Sequence, residues 1–321
     1  MSTKRRITLP SISGIAGSSA AGTVGYFNLP LSYRYHQIQL AYQDGGSTVQ
    51  NIATGLAAVN GSPSGTGLIA DLIVMKNGIA ERTHSALQLD HLNGLNGSQY
   101  QIQSSNGSTG GANNRQIQTI FFAEPWRKDK SDTDGLAWNV NAANGFNTFQ
   151  LQITLGSAMP STGSLVAYAW VEDAVLPPPN GKPQAVKKVY RQSLPASGTS
   201  NDISTLDARD AYQVISLINP TGAAIGKVTL KLGGTPVLDS VLREDNVGAL
   251  TNTGMNPANS TTAGAFGYDI VLDADDPINS ALPAPVSPWL TLFYTNVNGA
   301  QTAATATGNV IALIERLGPL D

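Results

Sequence analysis

Apolar and polar residues alternate with a period of two along much of this chain. Tyr35-His36-Gln37-Ile38-Gln39-Leu40-Ala41-Tyr42 puts His36, Ile38, Leu40 and Tyr42 on one face and Tyr35, Gln37, Gln39 and Ala41 on the other. That is the pattern of a half-buried strand. Residues 148–155 and 164–172 alternate in the same way, and residues 6–10 and 116–122 read as shorter strands ending near Pro10 and at Glu124-Pro125-Trp126. Residues 68–75 form a further strand, closed by the hairpin signal Lys76-Asn77-Gly78. A helix is expected over residues 80–92, with Ala86, Leu87 and Leu89 available for packing and Asn93-Gly94 ending it. Residues 44–67 are polar and turn-rich, with a short element expected around 49–59. Residues 97–114 and 127–134 read as loops.

The pattern then starts again. Leu176-Pro177-Pro178-Pro179-Asn180-Gly181-Lys182-Pro183 cannot continue a helix or enter a central strand, because proline lacks an N–H and fixes φ; it predicts a stiff, extended linker. Beyond it, Lys187-Lys188-Val189-Tyr190 echoes Arg5-Arg6-Ile7-Thr8, and Ala211-Tyr212-Gln213-Val214-Ile215-Ser216-Leu217 echoes the stretch from Arg34 to Leu40. Residues 225–234 repeat the strand and glycine turn of 69–78. Residues 238–250 stand where the first half has its helix, and residues 265–272, 289–294 and 309–315 complete the series. Two unrelated β domains would also give a run of short strands; the shared order and spacing favour tandem related ones. The fold expected is all-β: two tandem β-sandwiches such as jelly rolls, each with a short helix, at 1–176 and 186–321, joined by a Pro-rich linker at 177–185.

Composition narrows the chemistry. Of 321 residues 13% are charged and 41% apolar, and the net charge is −3, so the chain can bury cores and carries no global field for nucleic acid. There is no cysteine, which removes disulfides, thiolate metal sites and cysteine nucleophiles. No apolar run is long enough for a membrane-spanning helix. Lys4-Arg5-Arg6 and Ser18-Ser19-Ala20-Ala21 resemble the ends of a signal peptide, but Pro10, Ser11, Ser13, Gly14 and Gly17 between them make a poor apolar segment, and no cleaved signal is expected.

No nucleophile elbow, phosphate loop or dinucleotide fingerprint occurs. Glu124 and Glu172 could form an acid–base pair, as in a glycosidase, but each sits at a strand end, where solvated acids are common. His84 and His91, seven apart on the expected helix, are too far apart to ligate one ion there, so a solvated or interfacial role is expected; His36 is expected to pack in its strand. Asp273, Asp275 and Asp276 offer hard oxygen ligands that could take calcium, though Pro277 follows and no calcium-loop pattern is present; a strand-end turn is the plainer reading. Lys4, Arg5, Arg6, Lys187 and Lys188 begin equivalent strands and could face a membrane surface or an enclosed genome, or simply be solvated. Trp126, Trp138, Trp170 and Trp289 could stack sugars, but Trp170 and Trp289 lie in strong strand patterns and are expected in the core.

Arg5-Arg6-Ile7-Thr8-Leu9-Pro10-Ser11-Ile12-Ser13-Gly14, Asn28-Leu29-Pro30, the stretch from Tyr35 to Leu40 and Phe122-Ala123-Glu124-Pro125-Trp126 resemble the coat proteins of corticovirus-type tailless, membrane-containing phages and related prophages. The resemblance continues in outline through Lys187-Lys188-Val189 and Tyr212-Gln213-Val214-Ile215. It implies a non-enzymatic major capsid protein of the double jelly-roll lineage. Such proteins form pseudo-hexameric homotrimers that tile an icosahedral shell in the virion, around an internal membrane, after synthesis in the host bacterial cytoplasm. Penton and minor capsid proteins, and the internal viral membrane surface, are the partners implied. Loops at 44–67, 97–115 and 251–264 would suit outer decorations or inter-subunit contacts. No cofactor and no sequence-specific nucleic-acid binding are expected. A tandem β-sandwich that binds carbohydrate or a receptor is the alternative.

Overall fold

The computed structural model describes residues 3–44, 52, 67–104, 114–127, 130–174, 184–206, 211–272, 288–296 and 302–319. The proline linker and Asp273, Asp275 and Asp276 lie outside the described residues, as does the short element expected at 49–59, Ile52 excepted.

The first half runs β1 (Arg5–Thr8), β2 (Val24–Asn28), β3 (Tyr33–Asp44), β4 (Ile69–Lys76), β5 (Ile79–His84), α1 (Ala86–Leu95), β6 (Gln103–Ser104), β7 (Asn114–Phe121), α2 (Lys130–Gly135), β8 (Trp138–Val140), β9 (Phe149–Leu155) and β10 (Gly163–Asp173). The second half runs β11 (Ala185–Pro195), β12 (Ser200–Ile203), β13 (Ala211–Ile218), β14 (Ala224–Leu232), β15 (Thr235–Leu242), α3 (Arg243–Asn252), β16 (Phe266–Val271), β17 (Pro288–Thr295) and β18 (Asn309–Pro319).

These strands form three sheets, ordered β1-β10-β3-β7-β6 with β8 on β3, β16-β13-β18-β11-β5-β4-β9-β2, and β12-β17-β14-β15. The repeat seen in the sequence is a repeat of topology. Block β1-β10-β3-β7 matches β11-β18-β13-β16, and block β2-β9-β4-β5 matches β12-β17-β14-β15. Each pair of blocks closes on its own apolar core, one built on residues such as Phe27, Ile38, Leu40, Trp138 and Leu151, the other on Ile215, Leu217, Val228, Leu292 and Val310. This is the jelly-roll arrangement, made twice.

The turns repeat as well. Asn77 and Gly78 both have positive φ (52° and 84°), as do Gly233 and Gly234 (54° and 86°), the requirement for a two-residue hairpin turn that matches strand twist. A bulge also recurs. On β3 the register against β10 jumps from Gln37 to Tyr35, leaving His36 as the extra residue; on β13 the register against β18 jumps from Val214 to Tyr212, leaving Gln213.

Four local expectations change. The stretch after Gly78 first forms β5, and the helix begins only at Ala86. Ser85 caps it: its hydroxyl accepts from the Gln88 N–H, and the Gln88 side chain accepts from the Ser85 N–H. Residues 238–250 likewise divide between β15 and α3, and the loop after Arg127 contains α2. Trp170 and Trp289 are not core residues; they are 37% and 46% exposed, on the outward phase of strands whose alternate residues are buried. Trp138 is the tryptophan that fills the first core.

Candidate functional site

Two blocks that belong to different sandwiches share the eight-stranded sheet. They meet where β5 and β11 run parallel, at the pair Arg82 and Val189. A parallel junction between segments this distant in sequence must be specified by side chains, and the seam is lined with buried charge. Glu124, from the turn after β7, takes ion pairs from Arg127 (Nε to Oε2, 2.9 Å) and from Lys187 on β11, while Gln213 donates to it at 3.3 Å. Lys187 also lies 3.6 Å from Glu315 of β18. Lys188 pairs with Glu81 of β5 at 3.4 Å, and Arg191 with Asp71 of β4 at 2.9 Å. Arg82 donates to the Phe121 carbonyl.

An apolar half of the seam lies beside the charged half. Leu92 and Leu95 of α1 join Val189, Val214, Ile218, Phe266 and Leu313 in one buried cluster. The His91 ring stacks flat on Phe266, with centroids 3.8 Å apart, and its Nε2 lies 2.9 Å from Asp269 Oδ1. Asp269, fully buried, accepts a second bond from the Ala258 N–H at 2.6 Å, and the Asn256 N–H donates to the Leu95 carbonyl at 3.0 Å. The segment after α3, expected as an outer or inter-subunit loop, therefore folds back on the seam at Asn256 and Ala258.

Burial alone would push both carboxyls up. Lys187 and Arg127 hold Glu124 below its ordinary value instead, and His91 with the Ala258 N–H does the same for Asp269. A carboxyl lowered by folding adds stability above its unfolded pKa, near 4. That contribution is lost as pH falls through the lowered folded value. His84, buried beside Arg82 and Arg191, is shifted the other way for a base: burial first, then the two cations, hold it well below the ordinary imidazole value and keep it neutral.

These contacts correct the reading of the basic starts. Lys187 and Lys188 are 3% and 1% exposed and paired with carboxylates, so neither ammonium reaches an outer surface. Lys4, Arg5 and Arg6 are exposed: Lys4 pairs with Asp134 at 2.5 Å, Arg5 with Asp173 at 2.8 Å, and Arg6 lies over the Tyr168 ring. Glu124, read as a solvated strand-end acid, is 1% exposed. Glu172 is apart from it, bonded to Arg34 at 3.0 Å with His36 beside it at 3.2 Å. His84 and His91 do not share a helix; the first is on β5 and the second is interfacial. Asp269, which the sequence groups with Asp273, Asp275 and Asp276 as a carboxylate cluster, is instead buried against His91; an acid inside the apolar run Phe266-Gly267-Tyr268-Asp269-Ile270-Val271 signals such a partner.

Among the described residues no cluster of three or more histidines and carboxylates could hold a metal, and no helix is long and apolar enough to cross a membrane. A cleft of about 310 Å³ at one end of the first sandwich, lined by Leu9, Ile12, Phe27, Met159 and Leu165 among others, presents no charged or imidazole group.

No protein-family model matches the chain, and no curated protein is similar to it at a significant level. Solved structures are similar over nearly its whole length. The major capsid protein P2 of bacteriophage PM2 is 15% identical, with 99% of this chain and 98% of that chain covered and a TM-score of 0.67. A chain of Sulfolobus turreted icosahedral virus is 16% identical over 98% and 90%, with a TM-score of 0.62. VP54 of the virus PBCV-1, fitted into a reconstruction of the virophage Sputnik, is 10% identical over 99% and 94%, with a TM-score of 0.61. The fold of this chain is the double jelly roll of viral major capsid proteins.

Proposed function

We propose that the chain is a structural major capsid protein without enzymatic activity. Three copies form a trimer with a six-sided outline, two sandwiches per copy, and trimers tile an icosahedral shell around an internal membrane in the virion of a phage made in the bacterial cytoplasm. The division at 1–176, 177–185 and 186–321 gives the two sandwiches and their linker. Penton and minor capsid proteins complete the shell. Lys4, Arg5 and Arg6 are the remaining basic residues for an anionic lipid surface or genome. One observation carries this reading. Two copies of a single sandwich topology stand side by side through one continuous sheet, in a chain similar to viral major capsid proteins from end to end.

Light scattering on the purified protein tests it: a particle of three times 33.5 kDa, or a larger shell, is expected. A strictly monomeric protein at micromolar concentration would overturn the assembly reading. The exposure of Trp170 and Trp289 favours a second reading, a tandem sandwich that stacks a glycan on these rings. Glycan binding by a monomer, lost in Trp170→Ala or Trp289→Ala, would replace the first reading with the second.

A further inference from the structure

His36 lies between Asp134 and Glu172, at 3.3 and 3.2 Å, and His91 faces Asp269. His84, the remaining histidine, has cations for neighbours instead. It ends β5, two residues after Arg82 and on the same face of the sheet. Strands β5 and β11 run parallel with Arg82 opposite Val189, so the same step along β11 brings Arg191 beside His84. The ring is fully buried, and neither nitrogen makes a hydrogen bond among the described residues.

Among those residues no acid around the ring is left to balance a charge on it. Its register partner on β4 is Leu72, and the adjacent Asp71 is held by Arg191 at 2.9 Å. Glu81 of its own strand pairs with Lys188, and Glu315 of β18 acts on Arg82. From β7, Gln118 donates to the Ala86 carbonyl. Helix α1 follows at once, with Ser85 as its cap and no acid in its first turn, so the positive end of a helix dipole is also close by. The backbone of His84 and Ser85 favours a proton on the ring, but burial, Arg82 and Arg191 outweigh it. The counterpart of His84 in the second sandwich, two residues before α3, is Val241. The histidine therefore belongs to the seam and not to the sandwich topology.

A buried neutral histidine resists acid only while it stays buried. Below the ordinary imidazole value, about 6.5, any state that hydrates the ring gains about tenfold per pH unit over the closed one, or about 25-fold between pH 7 and pH 5. Glu124 and Asp269 are held below the carboxylate range and stay ionised through that interval. Each sandwich keeps its own apolar core, whereas β5 and β11 share the pair Arg82 and Val189, so the seam is where the ring reaches water at least cost. We propose that His84 makes the seam acid-labile: a proton on its ring parts β5 from β11, and the two sandwiches separate as folded units. The opening uncovers Val189, Val214 and Leu313. The device belongs to a single chain and does not depend on the trimer reading.

Hydrogen exchange read by mass spectrometry, corrected for the intrinsic rate at each pH, tests it. Protection of β5, β11 and α1 should fall about 25-fold from pH 7 to pH 5, while β9 and β17, in the two cores, keep theirs. In His84→Gln, whose side chain takes no proton, the seam should lose no protection over that range. His36 is also held low, by burial and then by Lys4, but it is present in both proteins and cancels from the comparison. No loss in the wild type, an equal loss in the variant, or a loss spread evenly over all strands would overturn the proposal. If the variant does not fold, NMR of the wild-type ring decides: it should stay neutral while the seam is closed and take its proton as protection falls. A ring that titrates near the ordinary imidazole value in the closed protein would overturn the proposal as well.

Discussion

The most consequential residue in the seam is Lys187. A lysine that starts a strand reads as solvated, because residue type says nothing about a partner 63 positions away. The fold surrounds it with Glu124 and Glu315, and its removal strands a buried carboxylate. Lys187→Met is expected to cost about 3 kcal/mol in urea denaturation, the lower end of the range for breaking a buried pair, since Arg127 still holds Glu124. The register-equivalent Lys4 pairs with Asp134 near solvent, and Lys4→Met should cost under about 1 kcal/mol. Equal losses at the two positions would contradict the burial argument. The same contrast explains what was legible. Alternation exposed the strands, but pairing across the seam depends on which sheets become neighbours, and no local pattern encodes that.

Elements were read well where the pattern has a period and poorly where burial is polar. Strands β3, β4, β7, β9, β10, β13, β14, β16, β17 and β18 fall where alternation or apolar runs put them, within a few residues at their ends. Strand β5 was missed because Ile79-Ala80-Glu81-Arg82-Thr83-His84 buries charged and polar side chains, so its inward phase does not look apolar. The helix start was displaced for the same reason, although Ser85 and Gln88 spell a capping box. Close packing between elements is equally local. A Cβ on Gly267 of β16 would run into the Asn219 side chain, which accepts from the Ile225 N–H at 2.9 Å and donates to the Ser260 and Thr262 carbonyls at 2.9 and 3.1 Å. Gly267→Ala should therefore destabilise the second sandwich by about 2–3 kcal/mol through those lost bonds, measured as a lowered denaturant midpoint. An unchanged midpoint would mean that Asn219 is dispensable there.

For the whole molecule, the joint matters more than the linker. A stiff proline segment would by itself limit how far one half can rotate against the other. The seam shows a shared sheet, a buried ion network and an apolar cluster with α1 across the same boundary. Replacing Pro177, Pro178 and Pro179 with glycine is expected to leave the proposed trimer intact and to lower stability by no more than about 1 kcal/mol per site, through the entropy of the unfolded chain. Loss of assembly in that variant would return the geometric role to the linker. The covered apolar cluster of the seam has a further consequence, in colloidal terms. While the seam is closed, a surface covered by its own chain does not meet the solvent as a free patch, so Val189, Val214 and Leu313 can be greasy without risk. A face left to solvent must keep the protein dispersed, and the polar side chains of Arg6, Gln37 and Arg115 do that. If copies assemble as proposed, contacts closed by exposed charge would be screened within about 8–10 Å at ordinary ionic strength, and salt concentration would act as a reversible control on when copies join.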